Sequence, residues 1–317
     1  MPGFAMGEPR RRSALLRRNA QPPCRPLHPP YQGKNRMSND SLLPDPSPTT
    51  SDTRTSLAPE NSTSSSGRIG KNGAARSVRR VHAVLSGKGG IGKTFIASLI
   101  AQAIHKQGES PLCFDADPVN ASLHEIGALK AEPVNLYMED DDEIDVGALD
   151  EMMARVLAAQ TMVVIDNGAP GFVPFARYLI RNKIVERLER SGKRLVIHTI
   201  VAGGSEFEQT VRGFNSIASQ FPANAPLVLW LNPHNGNIGG STAFAETPVF
   251  KRHQDRILAV IELPRLDRYY QYTLKKMTDE HLTFAEAMAD GSGFNVMDQS
   301  RLFDIWEPLS EQIAAVL

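Results

Sequence analysis

Gly87, four residues, then Gly92-Lys93-Thr94 set the frame G-x-x-x-x-G-K-T inside Ser86-Gly87-Lys88-Gly89-Gly90-Ile91-Gly92-Lys93-Thr94. These residue types at this spacing bind phosphate. The glycines let the backbone curl until several N–H groups point inward, and a following helix adds its positive end. Lys93 is placed to reach the β- and γ-phosphates, and the Thr94 hydroxyl to hold Mg²⁺. At average residue usage the bare frame occurs in roughly 1 chain in 100 of this length, so its flanks decide. Here Val81-His82-Ala83-Val84-Leu85 is strand-like, and Phe95-Ile96-Ala97-Ser98-Leu99-Ile100-Ala101 opens a buried helix pattern. A nucleotide is therefore expected along the loop and the first helical turn, through Phe95.

Three carboxylates suit the other half of such a site. Pro111-Leu112-Cys113-Phe114 runs into Asp115-Ala116-Asp117-Pro118, two carboxylates where the γ-phosphate and Mg²⁺ would lie. Met162-Val163-Val164-Ile165 ends in Asp166, the apolar-strand-then-Asp arrangement that supports a Mg²⁺ shell. Gly168 and Gly171 beyond it would permit a mobile loop. Leu227-Val228-Leu229-Trp230-Leu231 leads to Asn232, whose amide suits a base edge, and a later strand exits at Pro264 beside it. His198, inside an apolar strand, reads as a core histidine. The acidic run Glu139-Asp140-Asp141-Asp142-Glu143 lacks the glycine and spacing of a calcium loop and reads as a solvated loop.

Strand-like runs near 81–86, 111–115, 161–166, 194–201, 226–231 and 257–262 alternate with helix-period segments near 93–107, 146–159, 173–190, 205–219 and 301–315. That alternation predicts an α/β fold with a predominantly parallel sheet and helices on both faces. Ligand is then expected at the carboxyl ends of the strands. Residues 1–78 are Pro/Ser/Thr/Arg-rich without periodicity and are expected to be disordered, leaving 79–317 as the nucleotide-binding domain. Arg10-Arg11-Arg12 and Arg17-Arg18 imitate a targeting peptide, and Met37 is an alternative start.

The chain has 35 Lys+Arg and 35 Asp+Glu, but residues 1–80 hold 14 basic and 5 acidic residues, which leaves the remainder with 21 and 30. Direct DNA binding is disfavoured for so acidic a core and left open for the basic tail. Cys24 and Cys113 are too few for a Cys₄ cluster or a disulfide framework, and Cys113 reads as a buried thiol. No apolar run is long enough to span a bilayer. The C-terminal helix pattern has no Lys or Arg from Ile305 onward, so no membrane anchor is evident. A cytoplasmic protein is expected.

Lys88-Gly89-Gly90-Ile91-Gly92-Lys93-Thr94 resembles the deviant Walker A motif of MinD/ParA-type P-loop ATPases, marked by an early lysine. Asp115-Ala116-Asp117-Pro118 is similar to that group's switch I, and Asp166 to its Walker-B aspartate. The resemblance implies ATP and Mg²⁺ as ligands and a nucleotide-dependent homodimer. It implies that Lys88 contacts the partner's nucleotide, Asp117 positions the attacking water, and Asp115 assists the Mg²⁺ shell through water. A nearer resemblance, carried by Val163-Val164-Ile165-Asp166-Asn167-Gly168-Ala169, Val196-Ile197-His198-Thr199 and Trp230-Leu231-Asn232-Pro233, is to the TraL family of plasmid conjugal transfer. That implies a conjugation protein as partner. Val119-Asn120 stands where partition ATPases have Gln-Gly, and Asn167-Gly168-Ala169 where they have Thr-Pro-Pro; these departures bear on hydrolysis more than on binding. The alternatives are a P-loop small-molecule kinase or ligase and a partition or positioning ATPase.

Overall fold

The computed structural model describes residues 78–117, 122–138 and 144–317. The expectations for 1–77, including Cys24 and the Met37 start, for Val119-Asn120 and for the acidic run 139–143 lie outside the described residues.

Seven strands form one sheet: β1 Arg79–Val84, β2 Leu112–Ala116, β3 Glu132–Pro133, β4 Val163–Asn167, β5 Lys193–Ala202, β6 Leu227–Asn232 and β7 Ile257–Glu262. Their order is β3-β2-β4-β1-β5-β6-β7, and every pairing is parallel. Residues 195–202 of β5 are buried without interruption, as a strand covered on both faces must be. β1 lies between β4 and β5, so its C-terminal exit is flanked by the exits of both.

Helices α1 Lys93–Lys106, α8 Arg268–Asp279, α9 Phe284–Ala287 and α10 Val296–Ala314 cover one face. The other is covered by α2 Val146–Ala158, α3 Phe172–Arg181, α4 Ile184–Arg190, α5 Phe207–Gln220, α6 Gly240–Ala245 and α7 Pro248–His253. The sheet with two helical layers agrees with the sequence reading.

One expected element differs. The helix expected over 173–190 is two, broken at Lys183 with φ of 50°. The apolar phase explains the break. Phe175, Ala176 and Leu179 face the core, but continuing that phase would bury Lys183 and Glu186, whereas Ile184, Val185 and Leu188 are the buried ones. The turn re-phases the stripe.

The expected core histidine is one link of a buried relay. Trp230 Nε1 donates to His198 Nδ1 at 2.9 Å, and His198 Nε2 lies 2.9 Å from His82 Nδ1. Indole can only donate, so His198 carries its proton on Nε2 and donates it to His82. His82 is left with Nε2 buried and unpartnered. Burial, followed by the charge of Arg80, pushes His82 down to about 3. Among the described residues no helix is long and apolar enough to cross a membrane.

Candidate functional site

The loop between β1 and α1 curls because two of its glycines take left-handed backbone angles: Gly90 has φ of 72° and Gly92 of 92°. Gly87 is a glycine for space, since a Cβ there would meet the Phe172 ring at 3.0 Å. Gly89 is exposed and lies near Ala169 of the β4 exit, while Ile91 is buried and anchors the loop in the core. Gly92 caps α1 without a side chain, and the helix has no acidic residue in its first turn. Ile96 N–H is the first to bond back, to Gly92 O at 3.0 Å. The N–H groups of Lys93, Thr94 and Phe95 therefore have no partner within the helix and make an anion-binding terminus. The Phe95 side chain itself packs against the core.

Lys93 is buried, and its Nζ donates to Lys88 O at 2.9 Å, closing the loop on itself. Burial lowers its pKa; the charges of Asp166 and Asp117 act in the opposite direction. Lys88 Nζ pairs with Glu206 Oε2 at 2.7 Å. Glu206 lies in the turn that follows β5, beside the β1 exit.

Asp166 is almost fully buried at the end of β4. Burial raises its carboxyl to about 7; the Thr94 hydroxyl and Lys93 counter this in part, while Asp115 and Asp117 add to it. Neither Asp166 oxygen completes a well-formed hydrogen bond inside the chain. An acceptor pair left bare in the interior costs free energy unless a cation or donor meets it. Asp166, Thr94 and a phosphate together fit Mg²⁺, which typically takes one or two carboxylates plus phosphate oxygens and waters rather than a protein cage. Accordingly, among the described residues no group of three or more His, Cys, Asp or Glu forms a metal cage.

Asp115 is held by backbone donors of its own chain. Its Oδ1 accepts Asp117 N–H at 3.1 Å, and its Oδ2 accepts Leu123 N–H at 2.8 Å and His124 N–H at 2.9 Å. The carboxylate holds both ends of the segment that follows β2. Asp117, half-buried, lies over Gly168 of the β4 exit. Gly168 and Gly171 are close-packed rather than loose: Cβ atoms there would meet Asp117 Cγ at 2.5 Å and Leu136 Cδ1 at 2.7 Å.

Asn232 is also occupied. Its Nδ2 donates to Ile91 O at 3.0 Å and its Oδ1 accepts His234 N–H at 3.0 Å, so it ties β6 to the phosphate loop. Pro264 lines a cleft of about 390 Å³ with Leu231 and Pro233, the two neighbours of Asn232. The structure thus brings the loop, Asp115, Asp117, Asp166 and Asn232 to one end of the sheet. Glu206 and the packing role of Gly168 were missed. The Glu206 contact spans 118 positions and leaves no local sequence signal.

Residues 82–277 match the profile of the CobQ/CobB/MinD/ParA nucleotide binding domain. Two proteins named TraL from Escherichia coli are 40% and 39% identical over 242 residues, covering 75% of this chain and 99% of each relative. Among solved structures the chain is similar to the MinC:MinD cell division protein complex of Aquifex aeolicus, at 13% identity and a TM-score of 0.44, over 74% of this chain and 93% of that one. It is also similar to the MinD cell division protein of Aquifex aeolicus, at 16% identity and a TM-score of 0.42, over 73% and 97%.

Proposed function

The chain belongs to the CobQ/CobB/MinD/ParA nucleotide-binding family, close to the TraL proteins, and on that premise we propose that it binds ATP with Mg²⁺, hydrolyses it slowly and uses the nucleotide to switch self-association in conjugative DNA transfer. The observation that carries the reading is Asp166: two buried, unpartnered oxygens beside Lys93 and Thr94, at the uncapped start of α1.

The residues divide the work. The N–H groups of the loop and of the first turn of α1 take phosphate oxygens, and Lys93 exchanges the Lys88 carbonyl for them. Thr94 and Asp166 hold Mg²⁺, which supplies charge neutralisation on the phosphates. Asp117 orients and accepts a proton from the attacking water, with Gly168 beneath it fixing where its carboxylate stands. Asp115 shapes the segment that carries Asp117. Catalysis of this kind is positioning and charge stabilisation. Lys88, held by Glu206 within one chain, is the group that a partner's phosphates would compete for. A conjugation protein as partner is proposed from the TraL relatives.

The test is sizing chromatography with and without ATP and Mg²⁺ on wild type, Lys93→Ala and Asp117→Ala. Dimer that appears only with ATP, persists in Asp117→Ala and is absent in Lys93→Ala supports the switch. Normal ATP binding and hydrolysis by Lys93→Ala would sink it, and an unchanged monomer throughout removes the dimer from the proposal.

A further inference from the structure

Asn167 ends β4, and holding phosphate or cation gives it no task. Neighbours on a strand point to opposite faces of the sheet, so its side chain lies across the sheet from that of Asp166. It is fully buried. Its Nδ2 donates to Gly168 O at 2.9 Å, and this settles the orientation of the amide, since a carbonyl only accepts. The other end, Oδ1, is buried without a partner among the described residues. An orphaned acceptor costs free energy that an apolar side chain of similar shape would avoid. The donor is then the part of this side chain that has work to do.

That work is at Gly168. β2 and β4 pair Ala116 with Asn167, so Asp117 and Gly168 are the next residues out on neighbouring strands, and the Asp117 carboxylate stands over Gly168. The turn that begins at Gly168 is otherwise loosely tied. Gly168 N–H reaches Ala116 O at 3.4 Å and Phe172 N–H reaches Ala169 O at 3.3 Å, both longer than a well-formed N–H···O bond. The Asn167 bond is shorter than either. We propose that Asn167 is a positioning residue for hydrolysis: by gripping the Gly168 carbonyl it fixes the surface on which Asp117 rests, and it acts on the attacking water only through Asp117. The inference rests on the reading of Asp117 given above. A residue of this kind governs the rate and not the affinity, because the groups that meet phosphate and cation lie elsewhere.

The experiment measures single-turnover ATP hydrolysis and equilibrium ATP binding, with Mg²⁺, on the full chain, Asn167→Leu, Asp117→Ala and the double variant. Leucine keeps the bulk of asparagine and removes the donor. Asn167→Leu is expected to hydrolyse ATP about tenfold or more slowly, with its dissociation constant changed less than about threefold. The double variant should be no slower than Asp117→Ala alone, because a residue that acts through Asp117 then has nothing to act on. Losses that multiply in the double variant overturn the proposal, since Asn167 then works by another route. An unchanged rate in Asn167→Leu overturns it too, as does ATP binding that falls as far as hydrolysis, the mark of general damage to the site. Wild type that binds ATP but hydrolyses it no faster than Asp117→Ala overturns the proposal together with the role of Asp117, and leaves nucleotide binding standing. Wild type that binds no ATP removes the nucleotide reading itself and this inference with it. Should Asn167→Leu fail to fold, Asn167→Ala carries the same comparisons with less bulk to pack.

Discussion

Gly168 leaves the space that Asp117 occupies. A Cβ on Gly168 would stand 2.5 Å from Asp117 Cγ and 2.6 and 2.8 Å from its oxygens, and nothing is strained in the Gly168 backbone itself. The glycine is there for its missing side chain. Gly168→Ala must therefore push the carboxylate aside while leaving the phosphate loop intact. Hydrolysis is expected to fall about 10–100-fold, the penalty for a misplacement near 1 Å, with ATP affinity changed less than about threefold. Single-turnover phosphate release beside equilibrium binding separates the two, and an unchanged rate would show that Asp117 does not act from this position.

Lys88 and Glu206 make the next prediction. The ammonium is 2.7 Å from Glu206 Oε2, and that hydrogen bond is the main reason the Glu206 carboxyl titrates below its ordinary range. If Lys88 acts on a second copy, the internal pair competes with that action. Glu206→Gln should strengthen ATP-dependent self-association several-fold, and Lys88→Ala should abolish it, each read by sedimentation velocity. Weaker association in Glu206→Gln would instead make Glu206 part of the interface.

How much of this was legible in the sequence follows from how local each relationship is. The phosphate loop and the strands ending in Asp115 and Asp166 were readable because glycine spacing and doubly apolar runs are local signals. Strand order was not, since parallel neighbours such as β1 and β5 are joined through more than a hundred residues. Helix α8 left little trace because only Thr273 and Met277 of its twelve residues are fully buried, and its tyrosines weaken the apolar period. The Asp267 cap, which accepts from Tyr269 and Tyr270, was the one local clue. Asp115 was placed at the right end of the sheet. Its bonds to the N–H groups of Asp117, Leu123 and His124 reach up to nine positions along the chain, a relationship that residue types do not encode.

Asn232 offers a test that separates tethering from base reading. Its amide donates to Ile91 O, and a Cβ on Gly92 would lie 3.4 Å from the same nitrogen. Asn232→Ala should loosen the loop and weaken inorganic triphosphate and ATP alike, by about 5–10-fold for one lost neutral hydrogen bond. A loss confined to ATP, with triphosphate bound normally, would return Asn232 to the base.

The His82–His198–Trp230 relay predicts the acid limb of stability. Both histidines are fully buried and held neutral, His82 down to about 3 and His198 well below its ordinary value, in each case chiefly through burial. Their folded values lie below the unfolded 6.5, so the unfolded chain binds more protons on the acid side. The contribution is complete above pH 6.5 and is lost as pH falls from there toward 3. Each such histidine adds about 1.4 kcal/mol per pH unit to the slope. Urea midpoints between pH 7 and 4.5 should fall with acid, and the double variant His82→Phe/His198→Phe should flatten that slope whatever its absolute stability. An equal slope in both proteins would place the acid sensitivity elsewhere.

Asp166 predicts a conflict between stability and function. Its folded carboxyl is raised from 3.8 to about 7, mainly by burial. For a group raised in the folded state, the associated stability is complete below the unfolded value and is lost as pH rises through the folded one. Above pH 7 the nucleotide-free protein therefore carries a buried, unpartnered carboxylate. Asp166→Asn keeps the shape and removes the charge, so the variant without ligand should be more stable than wild type at pH 8, by about 1–2 kcal/mol as for other relieved functional sites. At pH 5 the difference should shrink, because wild type is then protonated as well. Mg²⁺ and ATP should raise the wild-type melting temperature at pH 8 and leave that of the variant nearly unchanged. If Asp166→Asn is instead less stable at pH 8, the carboxylate has a stabilising partner in the free protein, and the cation site must be sought elsewhere.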